Sequence, residues 1–281
     1  MNASREAIVI SGASTGIGAA SAERLARDGF LVFAGVRTDA DAAAVEALHP
    51  NVRALRLDVT DDASIEAAVT TVAAAGLPLQ GLVNNAGIVV AGPVEFLPLA
   101  LWRRLYDVNL FGAIAMAQAF LPLLRASRGR IVFVGSISGR LATPFLAPYA
   151  SSKFALRAVA DALRVELRPS GVRVALIEPG DVKTPIWRKG RESKPDLVAA
   201  MAPAALDHYG PQLDGLFAMA ESAERSGMPV EHVTEAIANA LTASKPRPNH
   251  LVGTQARGGS ILALMPAALR ERIIRRTMRL P

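Results

Sequence analysis

Short apolar runs alternate with longer amphipathic ones along the first two thirds of the chain. AIVISG (7–12) precedes a helical pattern over 17–28, FLVFAGV (30–36) precedes 39–48, and VRALRLDV (52–59) precedes 62–75. GLVNNAG (81–87) is followed by 99–125, RIVFVGS (130–136) by 149–168, and VRVALIEPG (172–180) ends the series. Six strands, each separated from the next by enough chain for a helix, predict an α/β fold with a parallel, doubly wound sheet. The strands lack polar alternation, as expected of a sheet covered on both faces. Past Gly180 the pattern loosens over 183–232, then 232–243 reads as a helix and NHLVGT (249–254) as a seventh strand. The expected organisation is one Rossmann-type domain of about seven strands over 1–281. Its parts are a core (1–182), a helical insertion over the ligand face (183–232), a closing helix and strand (233–254) and a C-terminal extension (255–281).

Composition narrows the chemistry. The 281 residues include no cysteine, which removes disulfides, thiolate catalysis and thiolate metal sites, and no metal site is expected. The N-terminus lacks a secretory pattern, so a cytoplasmic location is the default expectation. The uncharged run VNLFGAIAMAQAFLPLL falls short of a membrane span and reads as a buried helix. Net charge is +6, but Met265 to Pro281 holds five arginines against one glutamate and so carries +4 of it. The remainder is nearly balanced and shows no basic stripe interleaved with aromatics, which argues against nucleic acid as a partner.

In parallel sheets ligands bind at the carboxyl ends of the strands. The first strand ends in SGASTGIG, where Gly12, Gly16 and Gly18 lead through Ser14, Thr15 and Ile17 into a helix. Such a turn lets backbone N–H groups approach a pyrophosphate while the helix N-terminus supplies about half a positive charge. The second strand ends Val36-Arg37, with no carboxylate to hold a ribose 2′-hydroxyl, and a guanidinium suits a 2′-phosphate instead. NADP(H) is therefore the preferred cofactor, with NAD(H) as the alternative because Asp39 and Asp41 stand nearby. Asp58 and Val59 end the third strand, and Asn85, Ala86 and Gly87 end the fourth. Asp58 can accept a bond from an adenine amino group, and Asn85 with Gly87 permits close approach.

YASSK (149–153) places Tyr149 and Lys153 one helical turn apart on a shared face. A free tyrosine, with a pKa near ~10, shuttles protons poorly at neutral pH, and a neighbouring ammonium would lower that value. Ser136, ending the fifth strand, can add a hydroxyl at the same point. Together the three can hold and protonate a carbonyl oxygen.

SGASTGIG, Asp58-Val59, NNAG (84–87), Asn109, Ser136, YASSK and Pro179-Gly180 occur together in the order and spacing of the short-chain dehydrogenases/reductases, and residues 5–185 resemble that family closely. The resemblance implies that Tyr149 is the general acid/base and that Lys153 lowers its pKa and binds the nicotinamide ribose. It implies that Ser136 holds the substrate oxygen and that Asn109 anchors a water relaying protons to the lysine. Thr184 would contact the nicotinamide amide with Val182 packing beside it, and Pro179 and Gly180 would belong to the cofactor site. Ser11 stands where the family usually has threonine, and Thr15 where NADP-binding members often have a basic residue; Val36-Arg37 nonetheless matches NADP-preferring members.

Within the family the chain is most similar to the hydroxysteroid and retinol dehydrogenase-like branch, which implies a small hydrophobic alcohol or ketone as substrate. Candidate pocket residues are Val89, Val90, Val94 and Phe96, then Leu141 and Phe145, then Ile186, Trp187, Met201, Leu216, Phe217 and Met219, several of which could equally pack the insertion on the core. A homodimer or homotetramer through 109–125 and 149–168 is the family's usual assembly. The alternatives are an NAD-linked retinol or hydroxysteroid oxidase and a non-catalytic nicotinamide-binding sensor. The basic amphipathic segment from Ser260 can lie on an anionic membrane or pack on the insertion or a neighbouring subunit; Pro266, which breaks it, favours packing.

Overall fold

The computed structural model describes residues 6–186, 188 and 194–278. Seven strands form one sheet in the order β3-β2-β1-β4-β5-β6-β7: β1 (Ala7–Ile10), β2 (Leu31–Val36), β3 (Val52–Arg56), β4 (Leu79–Asn84), β5 (Arg130–Val134), β6 (Arg173–Pro179) and β7 (Asn249–Val252). Every pairing is parallel. The helices are α1 (Gly16–Arg27), α2 (Asp39–Glu46), α3 (Asp62–Ala74), α4 (Leu99–Tyr106), α5 (Gly112–Ser127), α6 (Ala147–Glu166), α7 (Lys194–Ala200), α8 (Ala204–Ser226), α9 (Glu231–Thr242), α10 (Thr254–Ala263) and α11 (Ala267–Thr277).

Successive strand residues point to opposite faces, so Ile8 and Ile10 enter one core and Val9 the other. On one face α1 and α9 bury Leu25, Ile237 and Leu241 against Val32, Val83 and Ile177. On the other, α5 and α6 bury Met116, Phe120, Leu124 and Leu156 against Leu82, Phe133 and Leu176. The uncharged run expected to form a buried helix thus serves the second core. The chain leaves β1 toward α1 on the first face and leaves β4 toward α5 on the second. Adjacent strands that diverge in this way open a crevice between their carboxyl ends.

Two departures from the sequence pattern concern helices. Residues 107–111 form a π-helical turn joining α4 to α5. The loose stretch after β6 contains α7 and the 23-residue α8, whose buried Ala205, Leu213 and Leu216 pack with Leu97, Leu197 and Met201 in a third, smaller core.

Candidate active site

The glycine turn and the end of β4 brace each other. Gly12 has φ 64°, and a side chain there would meet Ala86 Cα at 2.7 Å. Ser11 Oγ accepts from the backbone N–H groups of Asn85 and Ala86, both at 3.1 Å. The Asn85 amide donates back to the carbonyls of Ser11 (3.1 Å) and Gly12 (2.8 Å). A Cβ at Gly18 would overlap the Gly12 carbonyl and come within 2.6 Å of that amide. Both donors of the Asn85 amide are used by the turn, so its contribution is to hold the backbone open for close approach. Thr15 caps α1 in an extended conformation with no side-chain hydrogen bond to the helix. Gly12 and Thr15 are exposed, and Ser14, Gly16 and Ile17 are half-buried, so an anion can reach the N–H groups of the first turn.

Arg37 is exposed beside Asp58, whose carboxyl is held below its ordinary range. The causes are the Thr60 backbone N–H (2.9 Å), the Thr60 hydroxyl (2.7 Å) and the Arg37 charge, against the opposing effect of burial. The two acids near Arg37 are engaged elsewhere: Asp39 pairs with Arg56 at 3.4 Å, and Asp41 accepts from the Thr38 hydroxyl at 2.8 Å. Neither of these acids engages the Arg37 guanidinium, whose charge acts on Asp58. Val59 is buried against the start of α5, where a Cβ on Gly112 would strike it at 2.7 Å.

Ser136, Tyr149, Lys153 and Asn109 converge where β4 and β5 end. The Ser136 hydroxyl lies close enough to the Tyr149 phenol to ease its pKa downward, and it accepts from the Ser138 N–H at 3.0 Å. Lys153, 5% exposed, donates to the Val134 carbonyl at 2.9 Å and lies 5.7 Å from the Tyr149 ring centroid. Asn109 sits in the π turn. Its Oδ1 accepts from the Ile88 N–H (2.8 Å), and its amide donates to the Ile88 carbonyl (2.9 Å) and Ser152 Oγ (3.2 Å). Both amide donors are therefore engaged within the protein. Gly87 leaves open the space beside Asn109 Oδ1 and Lys153 Nζ, since a Cβ there would lie 3.4 and 3.8 Å from them.

The electrostatics correct one expectation. Tyr149 is pushed up to about 12, chiefly by burial, with the Ser136 hydrogen bond opposing and the Asp181 charge adding to the rise. Burial brings Lys153 down to about 8. Without a ligand the lysine does not hold the tyrosine down, because desolvation disfavours both charged forms together.

Two nearby features carried no motif in the sequence. Arg140, just after Ser136, makes a two-pronged pair with Glu178 at 2.7 and 2.6 Å, tying the β5 turn to the end of β6. Glu178 is 1% exposed. Asp181, whose carboxyl is raised by burial and eased by a hydrogen bond from Gln255, faces Tyr149 closely enough to raise it. Spacing alone could not pair these residues, because the partners are 38 and 74 positions apart.

A Cβ added at Gly16 (φ 60°) would lie 3.3 Å from the Thr184 side chain, while Pro179 ends β6 and Gly180 lies against Gln255. Val182 is buried in the α1–α9 core and bridges to Met228, so its side chain packs below the crevice. Phe145 has φ 67°, unusual for a bulky residue; its carbonyl accepts from Gly92 N–H at 2.7 Å and its ring meets Tyr209 of α8 edge-on at 5.9 Å. Val90, Phe96 and Phe217 pack on the third core, while Met201 and Leu216 are buried within it and so pack α7 and α8 rather than line open space. Val94 is 61% exposed and Met219 also faces solvent. Val89, Leu141 and Ile186 are half-buried, and Trp187 lies outside the described residues.

Residues 6–195 match the family model for short chain dehydrogenase. The chain is 36% identical to an NADPH-dependent 3-dehydrocapnine reductase from Ornithobacterium rhinotracheale, covering 87% of each. It is 35% identical to 11-beta-hydroxysteroid dehydrogenase type 2 from Oryctolagus cuniculus, covering 95% of this chain and 69% of the relative. The crystal structure of a short chain dehydrogenase from Burkholderia cenocepacia in complex with NADP is similar at a TM-score of 0.74 and 26% identity, covering 97% of this chain and 99% of that one. With the parallel sheet and the crevice at its switch point, these findings place the chain in the short-chain dehydrogenase family of oxidoreductases.

Proposed function

We propose that the protein interconverts a hydrophobic secondary alcohol and its ketone using NADP(H). The observation that carries this reading is the meeting of Ser136, Tyr149 and Lys153 at the strand ends facing the glycine turn. The uncapped start of α1 and the braced Gly12 backbone fit a pyrophosphate, and Arg37, free of Asp39 and Asp41, fits a 2′-phosphate. The NADPH in the name of the Ornithobacterium reductase and the NADP in the Burkholderia complex support that choice.

A bound nicotinamide supplies or accepts the hydride. Ser136 holds the substrate oxygen, and Tyr149, protonated at neutral pH, gives its proton to that oxygen in the reducing direction. Lys153, poised near neutrality, restores the phenol proton through the space that Gly87 leaves open. Residues 183–232, with α7 and α8, act as the lid that excludes water, and exclusion strengthens each charge interaction beneath it. The relation to a hydroxysteroid dehydrogenase supports a bulky apolar substrate, for which Val90, Leu141 and Phe145 supply walls. The exposed Phe111, Phe154 and Val165 support self-association through α5 and α6.

The test is a panel of steroid, retinoid and aryl ketones with NADPH and NADH, read at the reduced-nicotinamide absorbance band. Turnover with NADPH at least about tenfold more efficient than with NADH is expected from the charge-assisted contact at Arg37. Equal use of both cofactors removes that role from Arg37. Cofactor binding without turnover of any ketone returns the protein to the sensor class.

A further inference from the structure

The C-terminal helices divide sharply in how they pack. α10 lies on the crevice rim: Ala256 is fully buried, Gln255 accepts from the Asp181 N–H at 2.9 Å, and Gly259 approaches Ile137 so closely that a Cβ would come within 2.7 Å. Its opposite side carries Arg257, Ile261 and Leu264 at spacings of four and three, one continuous helical stripe. Ile261 is 62% and Leu264 87% exposed. After Pro266, α11 buries no residue at all. Leu269, Arg272 and Arg276 share one of its faces, and all three are exposed. The sequence favours packing on the insertion or a neighbouring subunit; within the chain, packing accounts for the inner side of α10 and leaves its outer side and much of α11 exposed.

We infer that this outer surface of α10 and α11 docks on an anionic lipid bilayer, with Ile261, Leu264 and Leu269 entering the interface and the arginines engaging headgroup phosphates. Thr254 to Thr277 carries five arginines against one glutamate, a net +4. A symmetric contact with a second copy would set these arginines against their equivalents, and like charges at close range oppose it. A negatively charged bilayer satisfies both properties at once, because arginine stems lie along apolar surface while their heads reach phosphate. The location adds a consequence: the helix that bears the stripe also borders the Ser136 and Asp181 loops, so docking would hold the crevice rim near the phase in which an apolar substrate dissolves. The docking itself does not depend on the proposed reaction.

The full-length protein should co-sediment with vesicles of equal parts phosphatidylglycerol and phosphatidylcholine, less so as salt rises, and not with pure phosphatidylcholine. Arg272→Gln with Arg276→Gln should weaken partitioning about 20-fold at low salt. Ile261→Ser with Leu264→Ser, which leaves charge unchanged, should weaken it by about tenfold. NADPH binding and circular dichroism, measured on the same preparations, should match the parent and so separate loss of docking from loss of fold or of the reaction. Failure of the parent protein to sediment with anionic vesicles overturns the inference. So does parent-like partitioning of both variants. A fall in molar mass by light scattering for the Ser variant, with vesicle binding intact, assigns the stripe to a second copy and also overturns it.

Discussion

The glycine turn and the Ser136–Tyr149–Lys153 cluster face each other across one crevice but are built on opposite principles. In the turn, the Ser11 hydroxyl and the Asn85 amide satisfy one another's backbones, and the fit is already complete. In the cluster, burial displaces a half-buried phenol and a buried ammonium in opposite directions, to about 12 and about 8. One region is settled by the fold alone. The other carries an electrostatic penalty that only a ligand can relieve, as expected where function is placed above stability.

Removing the phenol hydroxyl breaks the comparison most directly. Tyr149→Phe should lower turnover about a thousandfold while NADPH still binds, as read by nicotinamide fluorescence. Retained turnover would remove Tyr149 from the acid/base role.

Lys153→Met should reduce turnover about a hundredfold yet raise the stability of the cofactor-free protein by roughly 1–2 kcal/mol at pH 7, because a desolvated cation is gone. The lysine in the folded protein titrates near 8, against 10.5 for an ordinary one. Between those values the unfolded chain binds more protons, so the cofactor-free protein should gain stability as pH rises from 8 toward 10. Tyr149 acts in the opposite sense only above its ordinary value of 10.0. Urea midpoints across this range should climb for the parent and stay level for Lys153→Met.

Gly18→Ala tests the other side. The added methyl would strike the Gly12 carbonyl and the Asn85 amide, so a loss of about 1–3 kcal/mol in urea unfolding is expected, with NADPH affinity reduced about tenfold. An unchanged midpoint would show that the turn is looser than its hydrogen bonds imply.

The smallest effect concerns Asp181. Removing its charge in Asp181→Asn takes away a cause of the raised Tyr149 value, so the alkaline limb of the pH–rate profile should move down. A limb that moves up would mean that the Gln255 contact, not the charge, couples the two residues.

Much of the fold and the first outline of the site could be read from the chain because strand ends are local. Gly12, Asn85 and Ser136 stand just past the ends of β1, β4 and β5, and a parallel sheet sends all such ends to one side; Tyr149 announces itself instead by its helical spacing to Lys153. What escaped was nonlocal or energetic. The Arg140–Glu178 clamp joins residues with no shared pattern, and the direction of the Tyr149 shift depends on how much water the surrounding loops remove. α7 and α8 were obscured because they bury only a narrow stripe against a small core, so their apolar positions are too sparse to announce a period. Sequence order does not report which way a side chain turns, so neither the burial of Val182 in the α1–α9 core nor the bracing of the turn by the Asn85 amide could be read from it.

The π turn at Asp107–Phe111 makes segment length itself a component of this site. A π turn holds one residue more than the α-helical turn it replaces, and each α-helical residue accounts for about 100° of rotation. Deleting a single residue between Tyr106 and Gly112 would let the helix become regular, yet Asn109 could not then face Ile88 and Ser152 while Phe120 and Leu124 kept their places in the core. The surplus residue acts as a phase shifter, allowing one continuous rod to meet the requirements of the crevice at one end and of the sheet at the other.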